Sequence, residues 1–194
     1  GTSGRTTLNG EGLQHEDGHS HLLAATIPNC ISYDPTFNYE VAVIIQNGLK
    51  RMLSDQEDVF FYLTLLNENY EHPPMPAGVE DGIIKGMYLF REAAKDAKGH
   101  KVQLMGSGAI LREVIAAADL LRDDWGVEAD IWSVTSFTEL AREARDVERW
   151  NLLHPTEPPR VPYVAKMISS RGEAPVVAST DYMKLYAEQV RPAV

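Results

Sequence analysis

The fold class is decided by residues 102–134, VQLMGSGAILREVIAAADLLRDDWGVEADIWSV. The stretch opens with a short apolar strand at residues 102–105 and a turn made of Gly106-Ser107-Gly108. A helix follows, because apolar side chains recur at helical spacing. They are Leu111, Val114, Ile115, Ala118 and Leu121. Residues 124–126 end this helix, and residues 129–134 form the next strand. This βαβ order predicts an α/β protein with a mainly parallel sheet.

Further elements are predicted on both sides of this unit. After it come a helix at residues 138–153, a strand at 175–178 and a final helix that opens at Asp181. Before it come short extended pieces at residues 22–27 and 31–33, a helix from Val41 to Met52, an apolar strand at 59–66 buried on both faces, and a second helix from Asp81 to about Ala97. The polar link Lys98-Gly99-His100 separates two apolar blocks, so the predicted units are residues 1–97 and 98–194.

Composition excludes several classes of protein. The 194 residues are 44% hydrophobic and 24% charged, as in an ordinary globular chain. The net charge of −10 would repel phosphate backbones, so we expect no nucleic-acid partner. No apolar run approaches the length of a membrane span, and we expect no membrane association. The single cysteine, Cys30, fits a reducing compartment, so a cytoplasmic location is expected. Because the chain does not begin with Met, we expect it to start inside a longer protein.

The densest polar cluster lies at residues 11–21, EGLQHEDGHSH, with three histidines and three carboxylates. A histidine oriented by carboxylates can transfer protons near neutral pH. Three readings stay open: acid–base or anion-binding chemistry, a solvated polar loop, and a metal site. Gly12 and Gly18 oppose a helix here, so the helical spacing that places two histidines on one metal does not apply.

Other candidate residues have structural explanations. Gly106-Ser107-Gly108 between a strand and a helix can bind an anion, but Ser107 as a helix cap is the preferred interpretation. Cys30 beside Ile31 is predicted to be a small buried hydrophobe rather than a nucleophile. The three tryptophans are predicted to anchor a core or an interface; they are Trp125, Trp132 and Trp150.

Several segments, in unbroken order along nearly the whole chain, resemble one family. They are residues 4–21, GRTTLNGEGLQHEDGHSH; 66–70, LNENY; 133–141, SVTSFTELA; 148–155, ERWNLLHP; and 178–184, ASTDYMK. The chain resembles the E1 components of bacterial pyruvate dehydrogenase complexes of the homodimeric type, which are transketolase-like enzymes dependent on thiamine diphosphate. The resemblance implies that residues 1–97 form the later part of a pyrimidine-binding domain. Residues 98–194 would then form most of a C-terminal α/β domain.

The resemblance also implies an activity and its residues. The family decarboxylates pyruvate oxidatively and passes the acetyl unit to the lipoyl group of the E2 acetyltransferase, with thiamine diphosphate and Mg²⁺ as cofactors and a homodimer as the working unit. His15 matches the histidine beside the reacting carbon, and Glu11 matches a nearby active-site glutamate. His19 and His21 match the family too, with a supporting role.

The sequence also departs from the family pattern. The GDG signature for Mg²⁺ and the cofactor diphosphate is absent, and so is the glutamate that contacts the aminopyrimidine ring. We therefore expect neither cofactor binding nor turnover by the isolated chain. Two alternatives stay open at this point: a non-catalytic α/β module for dimerisation or interaction, and a metal hydrolase that uses His15, His19 and His21.

Overall fold

The computed structural model describes residues 16–66, 68–94 and 99–194, so Glu11 and His15 lie outside the described residues. The helices are α1 (Ser20–Ala25), α2 (Asn38–Leu49), α3 (Glu80–Lys85), α4 (Ile110–Trp125), α5 (Phe137–Leu153), α6 (Tyr163–Ser169) and α7 (Lys184–Glu188). The strands are β1 (Cys30–Tyr33), β2 (Phe60–Leu63), β3 (Met87–Arg91), β4 (Lys101–Gly106), β5 (Glu128–Val134) and β6 (Val176–Ser179). A π-helical turn (Lys50–Ser54) extends α2, and a 3₁₀ turn (Arg191–Ala193) follows α7.

The described strands form two sheets. In the first, β1 and β2 are parallel, with Cys30 opposite Phe60 and Tyr33 opposite Leu63. In the second, the strand order is β3-β5-β4-β6. Strand β4 runs parallel to both β5 and β6, and only β3 is antiparallel. The predicted α/β class with a mainly parallel sheet is confirmed, and so is the βαβ unit formed by β4, α4 and β5.

Helix α4 packs on one face of the second sheet through the predicted apolar stripe. Leu111, Val114 and Ala118 are buried against Leu104 and Ile131 of the two central strands. The helix ends at Gly126, whose φ of 63° is the left-handed conformation that glycine adopts without a steric penalty. The periodicity therefore located both the helix and its buried face.

The opposite face of the second sheet is covered by α5, α6 and α7. Phe137 and Leu140 of α5 are buried together with Trp132 of β5 and Tyr186 of α7. Helix α5 begins at Ser136, whose hydroxyl oxygen accepts a hydrogen bond from the Glu139 backbone N–H at 3.0 Å. This face holds the largest of the three hydrophobic clusters in the described chain.

The predicted helix at residues 81–97 is wrong beyond its first turns. Helix α3 ends at Lys85 because Gly86 adopts a φ of 108°, and the chain then enters strand β3. The sequence MYLFR is suited to a strand, and Tyr88 pairs with Ser133 of β5. A glycine followed by an aromatic and aliphatic run was therefore the signal that the helical reading overlooked.

Other expectations also need correction. Residues 22–27, predicted to be extended, lie largely in α1, and α6 was missed altogether. Strand β2 is shorter than predicted and is not buried on both faces, since Phe60 is exposed. The final helix α7 begins at Lys184 rather than at Asp181. Short elements of this kind carry too few periodic positions for reliable assignment from the sequence.

The second sheet begins with β3, which lies on the amino-terminal side of the predicted link at residues 98–100. The division into units 1–97 and 98–194 stays a prediction. No helix in residues 16–66, 68–94 or 99–194 is long and apolar enough to cross a membrane.

We predict that Gly86→Ala destabilises the fold much more than Gly78→Ala. A Cβ at Gly86 would lie 2.6 Å from the Ser136 carbonyl oxygen and 3.0 Å from Leu140 Cγ, whereas a Cβ at Gly78 meets nothing within 4 Å. Both glycines have positive φ, so both alanines carry a strain of about 1–2 kcal/mol. We expect the free energy of unfolding in urea to fall by at least about 2 kcal/mol more for Gly86→Ala. Equal losses would show that the contact with Ser136 is unimportant.

Candidate functional site

The carboxyl ends of parallel strands from both sheets converge on one region. Asp34 follows β1, Thr64 follows β2, Ser107 follows β4 and Thr180 follows β6. The Gly108 backbone N–H donates to the Asp34 carbonyl oxygen at 3.1 Å, which joins the two sheets directly. In α/β proteins, ligands bind outside the carboxyl ends of the strands. This edge is therefore the candidate functional site.

The Gly106-Ser107-Gly108 turn is shaped by Asp34. A Cβ at Gly108 would lie 2.5 Å from the Asp34 Oδ2 atom, so only glycine fits beside the carboxyl group. The Thr36 hydroxyl donates to the Gly108 carbonyl oxygen at 2.8 Å. The prediction that Ser107 caps the helix is wrong, because α4 has no side-chain cap and the Ser107 hydroxyl donates to Thr180 Oγ1 at 3.1 Å.

His21, in α1, is fully buried against β2 and α7. Its ring lies 4.9 Å from that of Tyr186 in a stacked arrangement and 4.8 Å from that of Tyr182 at an edge-on angle. The ring of Tyr62, in β2, lies 5.4 Å from it, also edge-on. Burial lowers the pKa of His21 to about 4, against the opposing charge of Asp17. His21 is consequently a neutral imidazole at physiological pH.

A chain of hydrogen bonds leads from His21 to Asp34. The His21 Nε2 atom lies 2.9 Å from Thr64 Oγ1. The Thr64 hydroxyl in turn lies 2.7 Å from Asp34 Oδ1, to which it donates when Asp34 is ionised. A hydroxyl can donate one proton while accepting another, so Thr64 connects the two titratable groups.

Asp34 is fully buried, and burial raises its pKa from 3.8 to about 7. The hydrogen bond from Thr64 opposes this rise, while the charges of Asp181 and Glu40 add to it. A carboxyl group poised near neutral pH at the carboxyl end of a strand is the arrangement expected of a functional site. The sequence reasoning missed Asp34, although an acidic residue directly after a buried strand was a usable signal.

A second buried carboxylate, Glu40, has a structural role. Its Oε2 atom accepts from the backbone N–H groups of Thr36 and Phe37 at 2.6 and 2.9 Å. Its Oε1 atom accepts from the hydroxyls of Tyr88 and Ser133, at 2.7 and 2.6 Å. Burial raises the pKa of Glu40, while these four bonds favour its charged form. Glu40 thereby ties the start of α2 to the second sheet.

The structure separates the two candidate histidines that it describes. His19 is exposed, whereas His21 is buried against Thr64. In the described part of the chain, no group of three or more His, Cys, Asp or Glu side chains is placed to hold a metal ion. The predicted catalytic pair, His15 and Glu11, directly precedes the described residues, so its role stays a prediction.

The predictions for Cys30 and the tryptophans have mixed outcomes. Cys30 is buried, as expected of a small hydrophobe, and burial raises the pKa of its thiol. Trp132 lies in the core, as predicted. Trp150 stacks between His154, at 4.3 Å, and the Arg160 guanidinium, at 3.7 Å. Trp125 is 77% exposed at the end of α4 and is not a core residue.

Two cavities lie at or near this edge. An open groove of about 790 Å³ runs between β6 and α7, and Thr180 and Tyr182 contribute to its wall. A smaller pocket of about 190 Å³ lies beyond β1 and β2. Its wall includes Thr36, Tyr70 and His72.

Comparison with known proteins assigns the fold to a class. The family described as "Transketolase-like TK C-terminal domain" matches residues 86–193. The transketolase of Leishmania mexicana superposes with a TM-score of 0.62 at 16% identity, covering 95% of this chain and 23% of that one. A transketolase variant from Pichia stipitis superposes with a TM-score of 0.59 at 14% identity, covering 92% of this chain and 22% of that one. The chain therefore belongs to the transketolase-like proteins, as predicted.

Relatives of higher sequence identity assign the chain to a narrower family within this class. The family described as "Pyruvate dehydrogenase E1 component middle domain" matches residues 1–73. The pyruvate dehydrogenase E1 component of Cupriavidus necator is 67% identical over 194 residues, which is 100% of this chain and 22% of that relative. The E1 component of Escherichia coli K12 is 64% identical over 195 residues, covering 100% and 21%. Within the transketolase-like proteins, the chain belongs to the pyruvate dehydrogenase E1 components and spans about a fifth of their length.

We predict that Asp34 makes the fold less stable as pH rises. The folded chain keeps the Asp34 proton up to about pH 7, whereas the unfolded chain releases it near its ordinary value of 3.8. The folded state thus binds more protons between these values, and the free energy of unfolding falls as pH rises through 7. Replacing Asp34 with Asn should remove about 2–3 kcal/mol of this fall between pH 5 and 8.

The measurement is urea unfolding at each pH, with the exposed Asp58→Asn as the matched control. His21, whose pKa is lowered, acts in the opposite direction below pH 6.5 and is common to all three proteins. A pH dependence unchanged by Asp34→Asn would show that this carboxyl group titrates alike in the folded and unfolded chains.

Proposed function

We propose that this chain is part of an E1 subunit that decarboxylates pyruvate oxidatively and transfers the acetyl unit to the lipoyl group of the E2 acetyltransferase. The observation that carries the proposal is the 67% identity to an E1 component along the entire chain. The working unit would be a homodimer in the cytoplasm, and the buried, unpaired Cys30 fits such a reducing compartment.

The surroundings of residues 16–21, the described part of the polar cluster, support this function. The Gly18 carbonyl oxygen accepts from the Met183 backbone N–H at 2.8 Å, so residues 17–18 lie beside the segment that follows β6. His15 and Glu11 precede this point in the sequence. We assign His15 to contact with the substrate carboxylate or to proton supply during acetyl transfer, and Glu11 to its orientation.

The proposed cofactors are thiamine diphosphate and Mg²⁺, which would supply the stabilisation of the carbanion left by decarboxylation. The described residues do not fit the Mg²⁺ and diphosphate end of this group. Both oxygens of Glu40 are occupied by hydrogen bonds, and Asp34 is enclosed by Gly108 and Thr64. Within the described ranges no other set of acidic side chains is placed to bind a metal. We therefore assign the binding of Mg²⁺ and of the cofactor's diphosphate to another part of the longer subunit.

The two alternative functions are not favoured. A hydrolase built on His15, His19 and His21 would need these side chains together, yet His19 is exposed whereas His21 is buried in the core. A purely structural interaction module would not account for the 67% identity to an enzyme subunit over the whole chain.

We predict that His15→Ala in the full-length subunit lowers the rate of the complete complex reaction by about 100-fold or more, as expected for the loss of an acid–base group. His100→Ala is the matched control, because His100 is exposed beside the amino end of β4. The measurement is kcat for NADH formation in the reconstituted complex, with circular dichroism to confirm folding. Activity within twofold of the wild type would refute the role of His15.

We also predict that the isolated 194-residue chain gives no saturable heat when titrated calorimetrically with thiamine diphosphate and Mg²⁺. The reason is that the described residues lack a site for the diphosphate and the metal. Far-ultraviolet circular dichroism of the same sample is the control for folding. Saturable binding by the folded chain would mean that the cofactor site lies within these residues after all.

A further inference from the structure

We propose that His21, Thr64 and Asp34 form a proton relay that positions the residues leading into α1, with the direction of its hydrogen bonds set by the ionisation of Asp34. The three residues come from three places in the sequence and meet at the carboxyl ends of β1 and β2. The positioning role rests on the proposed function, because the residues so positioned directly follow His15.

The geometry allows two directions of hydrogen bonding. When Asp34 is ionised, Thr64 donates to Oδ1 and accepts from the His21 Nε2–H group. When Asp34 carries a proton on Oδ1, it donates to Thr64, and the Thr64 hydroxyl donates to a bare Nε2 atom. The imidazole proton then resides on Nδ1. The ionisation of Asp34 and the tautomer of His21 are thereby linked through one hydroxyl group.

The switch from the hydrogen bonds of ionised Asp34 to those of protonated Asp34 takes up one proton from solvent. The His21 Nδ1 atom takes up this proton, and Nε2 passes its own proton to the Thr64 oxygen. Thr64 passes its original proton to Asp34, so the O–H bond of Thr64 is broken and remade. His21 is neutral before and after the transfer, and Asp34 changes from carboxylate to acid. The Nδ1 atom has no hydrogen-bond partner in the described structure, so no existing bond has to be broken when it takes up the proton.

The surroundings favour storage of the proton on Asp34 rather than on His21. Asp34 faces Thr64, Ser107, Asp181 and Glu40, from four different segments of the chain, and burial raises its pKa to about 7. His21 faces Asp17 and the rings of Tyr62, Tyr182 and Tyr186, and burial lowers its pKa to about 4. A proton that enters near pH 7 is therefore bound by the carboxyl group.

Hydrogen bonds around residues 17–20 connect the relay to the described part of the polar cluster. Asp17 Oδ1 accepts from the backbone N–H groups of His19 and Ser20 at 3.1 and 2.9 Å, which forms a compact turn before α1. His21 is the second residue of α1, and Gly18 is bonded to Met183. A change at the His21 ring is thus transmitted to residues 16–20 through a short and well-bonded stretch.

The first test is ¹⁵N NMR of the His21 ring in the 194-residue chain between pH 5 and 9. We expect the Nε2–H tautomer above pH 8 and the Nδ1–H tautomer below pH 6. Thr64→Val should abolish this change, because valine has no hydroxyl, and Thr64→Ser should restore it. Thr138→Val is the matched control, since the Thr138 hydroxyl is also buried but has no hydrogen-bond partner in the described structure. One tautomer at every pH in the wild type would overturn the proposal.

A second variant covers the case in which Thr64→Val does not fold. Asp34→Asn removes the titrating group and keeps the shape, so we expect one His21 tautomer throughout the pH range. A tautomer change that persists in folded Asp34→Asn contradicts the relay.

The positioning role is tested in the full-length subunit. We expect Thr64→Val to lower kcat about fivefold to tenfold, the loss of one ordinary hydrogen bond, and to flatten the pH profile near 7. Thr64→Ser should restore both, and Thr138→Val should leave both unchanged. An unaltered pH profile in Thr64→Val overturns the positioning role. If His15→Ala leaves activity intact, the proposed function fails while the NMR result stands independently.

Discussion

The packing of the Asp34 carboxyl group against the backbone of Gly108 is the constraint on which the arrangement of the two sheets depends. The contact leaves no room for a side chain at Gly108, and a backbone hydrogen bond from Gly108 to Asp34 fixes their separation. Since Asp34 directly follows β1 and Gly108 closely follows β4, the carboxyl ends of the two sheets are held together at one edge. Asp34, Thr64, Ser107 and Thr180 of the candidate site follow the strands that meet at this junction.

The junction is unusual in burying polar groups where apolar packing would be simpler. Asp34, Glu40 and His21 are all buried, and each has hydrogen-bond partners contributed by another element. Burying such groups costs free energy that their hydrogen bonds only partly offset. Buried polar networks of this kind rigidify one arrangement of the chain, which suits a site that must hold reacting groups precisely.

The sequence was informative where many residues share one period and less so where contacts are long-range. The stripe on α4 and the apolar strands β4 and β5 were sufficient for the fold class. Helix α1 and strand β3 were misassigned, because each has only five or six residues. The relay was not predicted, since nothing local connects His21 with Thr64, 43 positions away. Ser107 was assigned to a cap for the same reason: its partner, Thr180, is remote in sequence.

The Gly108 contact also limits how the two sheets can be recombined. A chimera that joins the first sheet of one relative to the second sheet of another brings together residues 34 and 108 of different origin. Because a Cβ at position 108 would occupy the space of the Asp34 carboxyl group, the two positions have to be inherited as a pair. The crossover points open to protein engineering thus have to preserve this packed contact as well as the loops between the sheets.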